Sequence, residues 1–187
     1  MPNFSHRIGF DDAPFAKTHR GDVLIVGAVF TANRLDGLLC GKVRRDGANG
    51  TDKIIRLLEA SRFLDHLQII LLQGIALAGF NVVDIHRLHQ ILNLPVLVIC
   101  RKAPDFGAIR NALLTNVPGG KRKWKLIEKA GPMEKLAGVY VQRAGIDTAT
   151  AAGVIQQSAI HSSVPEPLRT AHIIARDITA SGSRQRV

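Results

Sequence analysis

Apolar residues near the start of the chain fall in three short runs, each with the length and composition of a β-strand. The runs cover residues 7–12, 23–30 and 35–43, and only short polar turns separate them. Short connections of this kind join antiparallel strands, so the pattern predicts a three-strand antiparallel meander. The first run ends in Asp11 and Asp12. Because side chains alternate along a strand, these two acids are not expected to face the same site.

The spacing of apolar residues becomes helical after residue 50. It predicts a helix from about 52 to 64, a buried strand at 67–72, a helix at 82–93 and a second buried strand at 96–100. A strand, helix and strand of these lengths form a right-handed unit with parallel strands. Further helices are predicted from 104, from 148 to 159 and from 166 onward, with a short strand at 139–142.

Together these elements predict one α/β domain over residues 1–187. We expect a ribonuclease H-like mixed sheet, in which the three-strand antiparallel meander is followed by parallel strands and helices cover both faces. The polar, basic segment 181–187 is expected to be a frayed tail.

Polar residues follow the central strand at 67–72, where the sites of open α/β sheets are usually built. The turn begins with Gln73 and Gly74 and continues through Gly79, Asn81 and Asp84. The Gln73 side chain either orients a base or phosphate or satisfies backbone groups at the strand end. Asn81 and Asp84 are expected to attach the turn to the first strand, although Asp84 equally suits the first turn of the next helix.

The formal net charge of +10 favours a polyanionic partner, and nucleic acid is the usual one. The segment 116–125 is the most basic in the chain and is predicted to be a loop. Either the cations of this segment bind phosphate groups while the indole of Trp124 stacks on a base, or the segment is a solvated mobile loop. These candidate residues are Lys121, Arg122, Lys123, Trp124 and Lys125.

Two classes of location are disfavoured by the hydrophobic pattern. No apolar run reaches the roughly 18–20 residues that span a bilayer, and the first residues lack the apolar segment of a secretory signal. We therefore expect a cytoplasmic protein with no membrane partner.

Three segments resemble endonuclease V in the same order. They are Ile8-Gly-Phe-Asp11, the stretch from Gln73-Gly-Ile-Ala-Leu-Ala-Gly-Phe80 to Leu94-Pro95-Val96, and Val164-Pro-Glu-Pro-Leu-Arg169-Thr-Ala-His172. The match is closer to an uncharacterised, mainly archaeal relative of that family, domain-of-unknown-function family ninety-nine. Its pattern also includes the loop from Asp46-Gly to Asp52 and the segment Gly79-Phe-Asn-Val-Val-Asp84.

This resemblance implies Mg²⁺-dependent phosphodiester hydrolysis in DNA or RNA, including inosine-containing strands. Asp11 matches the first catalytic acid, although its Asp-Asp-Ala-Pro context also suits a turn. Asp52 is the best match to the second acid, with Asp46 as the alternative, so the ion is expected on Asp11 and Asp52. Gln73 stands where the family has a third acid.

Two further positions of this pattern concern the site. Ile146 falls where the family has a histidine. Arg169 either contacts phosphate at the sheet edge or pairs with Glu166 at the helix start. The two functions that this pattern supports are a metal-dependent nuclease with an altered acid set, and a non-catalytic nucleic-acid-binding protein of the same fold.

Overall fold

The computed structural model describes residues 4–184, with side chains described up to residue 180. The chain begins with the predicted meander. Strand β1 (His6–Asp12) pairs antiparallel with β2 (Asp22–Thr31), which pairs antiparallel with β3 (Arg34–Arg44).

The predicted parallel unit follows. Helix α1 (Gly50–Glu59) leads through a short 3₁₀ turn (Leu64–His66) into the central strand, β4 (Ile69–Gln73). A small hairpin of β5 (Ala76–Leu77) and β6 (Asn81–Val82) precedes α2 (Ile85–Leu92) and β7 (Val96–Cys100). Since β4 pairs in parallel with both β1 and β7, the prediction of parallel strands is confirmed.

The last third of the chain supplies the other helices and the far edge of the sheet. It contains α3 (Phe106–Asn116), α4 (Gly120–Ala130), β8 (Glu134–Leu136), β9 (Val139–Ala144), α5 (Thr148–Ser158) and α6 (Glu166–Arg184). The described strands form a mixed sheet in the order β3-β2-β1-β4-β7-β9-β8, with β5 and β6 as a separate pair. Residues 181–184 of the predicted tail continue α6, and residues 185–187 lie outside the described residues.

The central strand β4 is buried on both faces. Ile69 and Leu71 belong to an apolar cluster that contains Val154 of α5, whereas Ile70 and Leu72 belong to the cluster that contains Ile54 of α1. Helices therefore cover both faces of the sheet, as predicted. Within residues 4–184, no helix has the length and apolar character needed to cross a membrane.

Helix α6 packs very closely on β1 because the contact residue in the strand is glycine. A Cβ added to Gly9 would lie 2.5 Å from the backbone carbon of Pro167. This close approach places the first turns of α6 beside the end of β1, where Asp11 lies.

Most of the basic segment predicted as a loop, residues 120–125, is instead the first half of α4. Gly119 adopts a left-handed conformation (φ 70°) at the start of that helix, and an added Cβ on Gly120 would collide with the backbone of Leu113. The two glycines thus make a tight turn between α3 and α4. The basic residues that follow this turn form a helix, and not the predicted loop.

Candidate active site

An open pocket of about 500 Å³ lies at the carboxyl ends of β1 and β4. Acids, an amide and cations from four elements converge there, and apolar groups from the loop after β1 and from α6 complete the wall. Its polar lining residues are Asp11, Asp12, Gln73, Arg101, Arg169 and His172. We call this the acidic pocket.

Asp11 is the most enclosed acid of the pocket, with 5% of its surface exposed. Its Oδ2 lies 2.8 Å from Nδ1 of His172 on α6, and its Oδ1 accepts the backbone N–H of Asp12 at 2.9 Å. Burial raises the pKa of Asp11, while the Asp12 N–H, His172 and the positive charge of Arg101 act in the opposite direction. The carboxylate is therefore held in one orientation by groups from both β1 and α6.

Asp12 lines the same pocket, so the expectation that the two acids cannot both face one site was wrong. The pocket wraps around the end of β1, where alternating side chains can reach its two sides. The Oδ2 of Asp12 is held there by the backbone N–H of Ala78 at 3.1 Å. Burial and the neighbouring Asp11 charge together raise the pKa of Asp12 to about 6.

Gln73 ends β4 beside the acids and brings an amide to the pocket wall. The turn after it encloses a second, mostly apolar pocket of about 230 Å³. Gly74, Gly79, Phe80, Cys100 and Phe106 are among the residues that line it. Since Gly74 directly follows Gln73, and Cys100 directly precedes Arg101, the apolar pocket adjoins the acidic one.

Asn81 and Asp84 attach this turn to the start of α1, and not to β1 as expected. Asn81 is fully buried, accepts the Gly50 N–H at 2.9 Å and donates to the carbonyl of Arg44. Asp84 caps α2 by accepting the Arg87 N–H at 3.0 Å, which confirms its reading as a helix-start acid. The contact with β1 is made instead by Asp12 through the Ala78 N–H.

Asp52 and Asp46 lie outside the residues that line the acidic pocket. Asp52 is half-exposed in the first turn of α1 and forms an ion pair with Arg87 at 2.6 Å. Asp46 accepts the Phe80 N–H at 2.8 Å and so braces the turn. The fold therefore does not bring Asp52 into the pocket beside Asp11, because Asn81 holds the start of α1 against the turn after β4. Asp12 is the second carboxylate of the pocket.

The basic segment of α4 is divided between surface and interior. Lys121, Arg122 and Lys125 are exposed, whereas Lys123 is buried and its Nζ donates to the backbone carbonyl of Asp46. Trp124 packs edge-on against Phe106 and donates its Nε1–H to Glu128 at 2.6 Å. The prediction that Lys123 reaches phosphate was wrong, because its ammonium group points inward.

Arg169 forms the predicted pair with Glu166 and also lies at the sheet edge, where a contact with phosphate was the alternative considered for it. Its Nε pairs with Glu166 at 3.1 Å, and its side chain lines the acidic pocket. Sequence reasoning did not assign Asp12, Arg101 or His172 to the site. The available signal was the spacing of Arg169 and His172, which lie three apart and therefore on one face of the final helix.

The model of one family, described as endonuclease dU, matches residues 3–179. The chain belongs to the endonuclease dU family. A UPF0215 protein of Deinococcus radiodurans is 54% identical over 187 residues, covering 100% of this chain and 95% of that protein. The predicted kinship with an uncharacterised, mainly archaeal family is confirmed, since another UPF0215 relative comes from Methanothermobacter thermautotrophicus.

Solved structures confirm the fold. A protein of unknown function from Archaeoglobus fulgidus superimposes with a TM-score of 0.86 at 32% identity, covering 92% of this chain and 97% of that one. Endonuclease V of Ciona intestinalis, bound to a 24mer DNA that contains an inosine followed by a ribo-adenosine, gives a TM-score of 0.62 at 14% identity. That match covers 95% of this chain and 87% of the endonuclease. The endonuclease dU family thus has the ribonuclease H-like fold of endonuclease V.

Proposed function

We propose that this protein is a divalent-metal-dependent nuclease that cleaves a phosphodiester in the acidic pocket, next to a deaminated base. The observation that carries the proposal is the convergence of a buried Asp11–His172 pair, a second carboxylate and two arginines in one pocket. Membership in the endonuclease dU family supports a nuclease and points to deoxyuridine-containing DNA as the substrate.

The donor set of the acidic pocket fits a hard divalent cation such as Mg²⁺. Asp11 and Asp12 offer two carboxylates, and Gln73 adds a neutral amide oxygen. Mg²⁺ is often held by only one or two carboxylates and keeps several waters, so a full set of acids is not required. Burial raises the pKa of Asp12 most, and the nearby Asp11 charge raises it further; a divalent cation between the two carboxylates would offset both effects.

Among residues 4–180, no group of three or more His, Cys, Asp or Glu side chains is placed to hold a metal ion. Binding would therefore rest on Asp11, Asp12 and the Gln73 oxygen, together with substrate phosphate. When bound, the ion would supply an acidified water and would offset the charge that develops on phosphate.

His172 is suited to accept the proton of the attacking water. Its Nδ1 faces Asp11 at 2.8 Å, and about half of its side chain remains exposed. The Asp11 contact favours the tautomer with the proton on Nδ1, which leaves Nε2 free to take a proton as the water oxygen bonds to phosphorus.

The two arginines account for recognition of the phosphodiester. Arg101 follows β7 at the pocket wall, and Arg169 is oriented there by Glu166. Guanidinium groups bind phosphate oxygens through paired N–H donors. They would hold the substrate before cleavage and stabilise the added charge at the transition state.

The adjoining apolar pocket offers a place for the deaminated base. Enzymes that select a damaged base commonly turn it out of the stack into a fitted cavity. The pocket of about 230 Å³ has aromatic walls from Phe80 and Phe106 and a glycine-rich rim. A base held there would bring its own phosphate group towards Gln73 and the two acids.

The direct test is cleavage of matched oligonucleotides that carry one deoxyuridine, one inosine or neither, as DNA and as RNA, with Mg²⁺, Mn²⁺ or EDTA. We expect metal-dependent cleavage of the deoxyuridine DNA, loss of it in Asp11→Asn, and retention in Asp52→Asn. Cleavage that depends on Asp52 and not on Asp12 would contradict the assignment of the second acid.

A second candidate is a non-catalytic nucleic-acid-binding protein. It is favoured by the neutral Gln73 in place of an acid and by the net charge of +10. Salt-sensitive binding of the same oligonucleotides without cleavage under any metal condition would establish this function in place of the first.

A further inference from the structure

A second groove continues from the acidic pocket across the loop that follows β1. It has a volume of about 500 Å³ and shares Ala13, Pro14 and Phe15 with the acidic pocket. Beyond that shared wall it is lined by residues of the loop, of β2 and β3, and of α6, among them Thr18, His19, Asp22, Lys42 and Thr179. We call it the flanking groove.

Phe15 lies between the acidic pocket, the flanking groove and the apolar pocket. Its ring is part of the wall between the acidic pocket and the flanking groove, and its Cζ would lie 3.8 Å from a Cβ added to Gly79. Gly79 is itself part of the rim of the apolar pocket. A nucleic-acid strand that leaves the acidic pocket by the flanking groove must therefore pass this ring.

The loop that carries Phe15 is held in place by Arg45. One guanidinium nitrogen donates to the carbonyls of Lys17, at 2.6 Å, and of His19, and the guanidinium lies 5.4 Å from the centre of the Phe15 ring. The loop is also tied to β2, since the Ala13 N–H donates to the carbonyl of Leu24 at 2.9 Å. The loop is thus held on both sides of Phe15, whose side chain is partly exposed in the wall of the groove.

The groove also offers positive charge. Lys42 is exposed in its wall, and Lys17 and Arg20 are exposed on the adjoining loop. Asp22, the acid in the wall, is paired with Arg44 at 3.8 Å. An aromatic face beside a mobile cation is the combination that proteins use for single strands, where the base stacks and the phosphate pairs with the cation.

We propose that the flanking groove binds the nucleotide on the other side of the cleaved phosphodiester from the deaminated base, with its base against Phe15 and its phosphate near Lys42. This inference rests on the proposed function. A phosphodiester in the acidic pocket joins two nucleotides; if one base occupies the apolar pocket, the strand must continue along a surface that adjoins the acids. The flanking groove adjoins them through Phe15.

The test measures binding by fluorescence anisotropy in EDTA, so that no cleavage is needed. Three single-stranded DNA probes carry the same deoxyuridine: one is extended on both sides, one is trimmed on its 5′ side and one is trimmed on its 3′ side. We expect Phe15→Leu and Lys42→Ala each to weaken binding of the fully extended probe about fivefold or more. Against one of the two trimmed probes, the same variants should bind like the wild type.

The matched control is Lys135→Ala, which removes one exposed lysine from β8 and should bind all three probes like the wild type. Equal weakening of all three probes by Phe15→Leu and Lys42→Ala, or no weakening of any, would overturn the proposal. Failure of the wild type to bind at low salt would also overturn it. If the two variants weaken binding of the extended probe but not of one trimmed probe, and the wild type cleaves nothing, the groove proposal is supported and the nuclease proposal fails.

Discussion

The carboxylate of Asp11 and the imidazole of His172, which are 161 positions apart in the chain, lie 2.8 Å from each other between β1 and α6. The contact exists because Gly9 lets the start of α6 approach the strand backbone. One glycine therefore supports both the stability of the fold and the geometry of the acidic pocket.

Replacing Gly9 by alanine should lower the stability of the fold and disturb the geometry of the acidic pocket. The added Cβ would lie 2.5 Å from backbone atoms of Pro167, which cannot swing aside as a flexible side chain can. We expect the free energy of unfolding, measured by urea titration, to fall by about 1–3 kcal/mol or more. The control is Gly107→Ala in α3, where the nearest atom is the Asp105 carboxylate at 3.3 Å. An unchanged unfolding curve for Gly9→Ala would show that α6 does not pack as described.

His172→Ala should lower the cleavage rate about 100-fold or more, because a positioned general base contributes that much in typical enzymes. Binding of the deoxyuridine oligonucleotide should change little. His66→Ala serves as the control, since His66 is exposed in the 3₁₀ turn before β4. A cleavage rate for His172→Ala within a few fold of the wild type would remove His172 from the proposed mechanism.

Asp12 should contribute more to the free energy of unfolding at low pH than at neutral pH, which is the reverse of the usual effect of a carboxylate. Its pKa is about 6 in the folded protein against an ordinary value of 3.8, so the folded state binds the proton more tightly. The Asp12 contribution to stability is therefore greatest below about pH 4 and is lost as the pH rises to about 6. The difference between pKa values of about 6 and 3.8 corresponds to at most roughly 3 kcal/mol in the free energy of unfolding, and partial exposure of Asp12 reduces this to about 1–2 kcal/mol.

Asp12→Asn should accordingly raise the free energy of unfolding at pH 7–8 in EDTA and remove this part of the pH dependence. Urea titrations at pH 4, 5, 6 and 7 measure both effects. Asp177→Asn is a suitable comparison, since its carboxylate is exposed on α6 and pairs with Arg176. If Asp12→Asn lowers the free energy of unfolding at pH 7, the ionised carboxylate of Asp12 is not destabilised by burial beside Asp11.

The fold was largely readable from the sequence because its signals are local. The unbroken apolar run that ends at Gln73 predicted a strand buried on both faces, and the segment at 145–148 predicted the start of α5, where Asp147 accepts the Thr150 N–H. The exception is α4. Its basic composition and the preceding glycines suggested a loop, while its inner face is formed by Lys123 and Ile127 through contacts with distant segments.

The site was less readable because its partners are distant in the chain. The turn after β4 was correctly located, but which acid joins Asp11 depends on how α1 is placed. Asn81 and Thr51 fix α1 over the turn, which leaves Asp52 paired with Arg87 and away from the pocket. Period-two alternation also misled the assignment of Asp12, since alternation says nothing about a pocket that wraps around the end of a strand.

Restoring an acid at the end of β4 should strengthen metal binding. Gln73→Asp would place a third carboxylate in the acidic pocket, and a hard cation gains from each added anionic oxygen. We expect Mn²⁺ affinity, measured by calorimetric titration, to rise about tenfold. Gln90→Asp adds the same charge at an exposed position of α2 and should leave the affinity unchanged. If both variants behave alike, Gln73 does not adjoin the metal; a gain confined to Gln73→Asp would assign its side chain to the same site as Asp11 and Asp12.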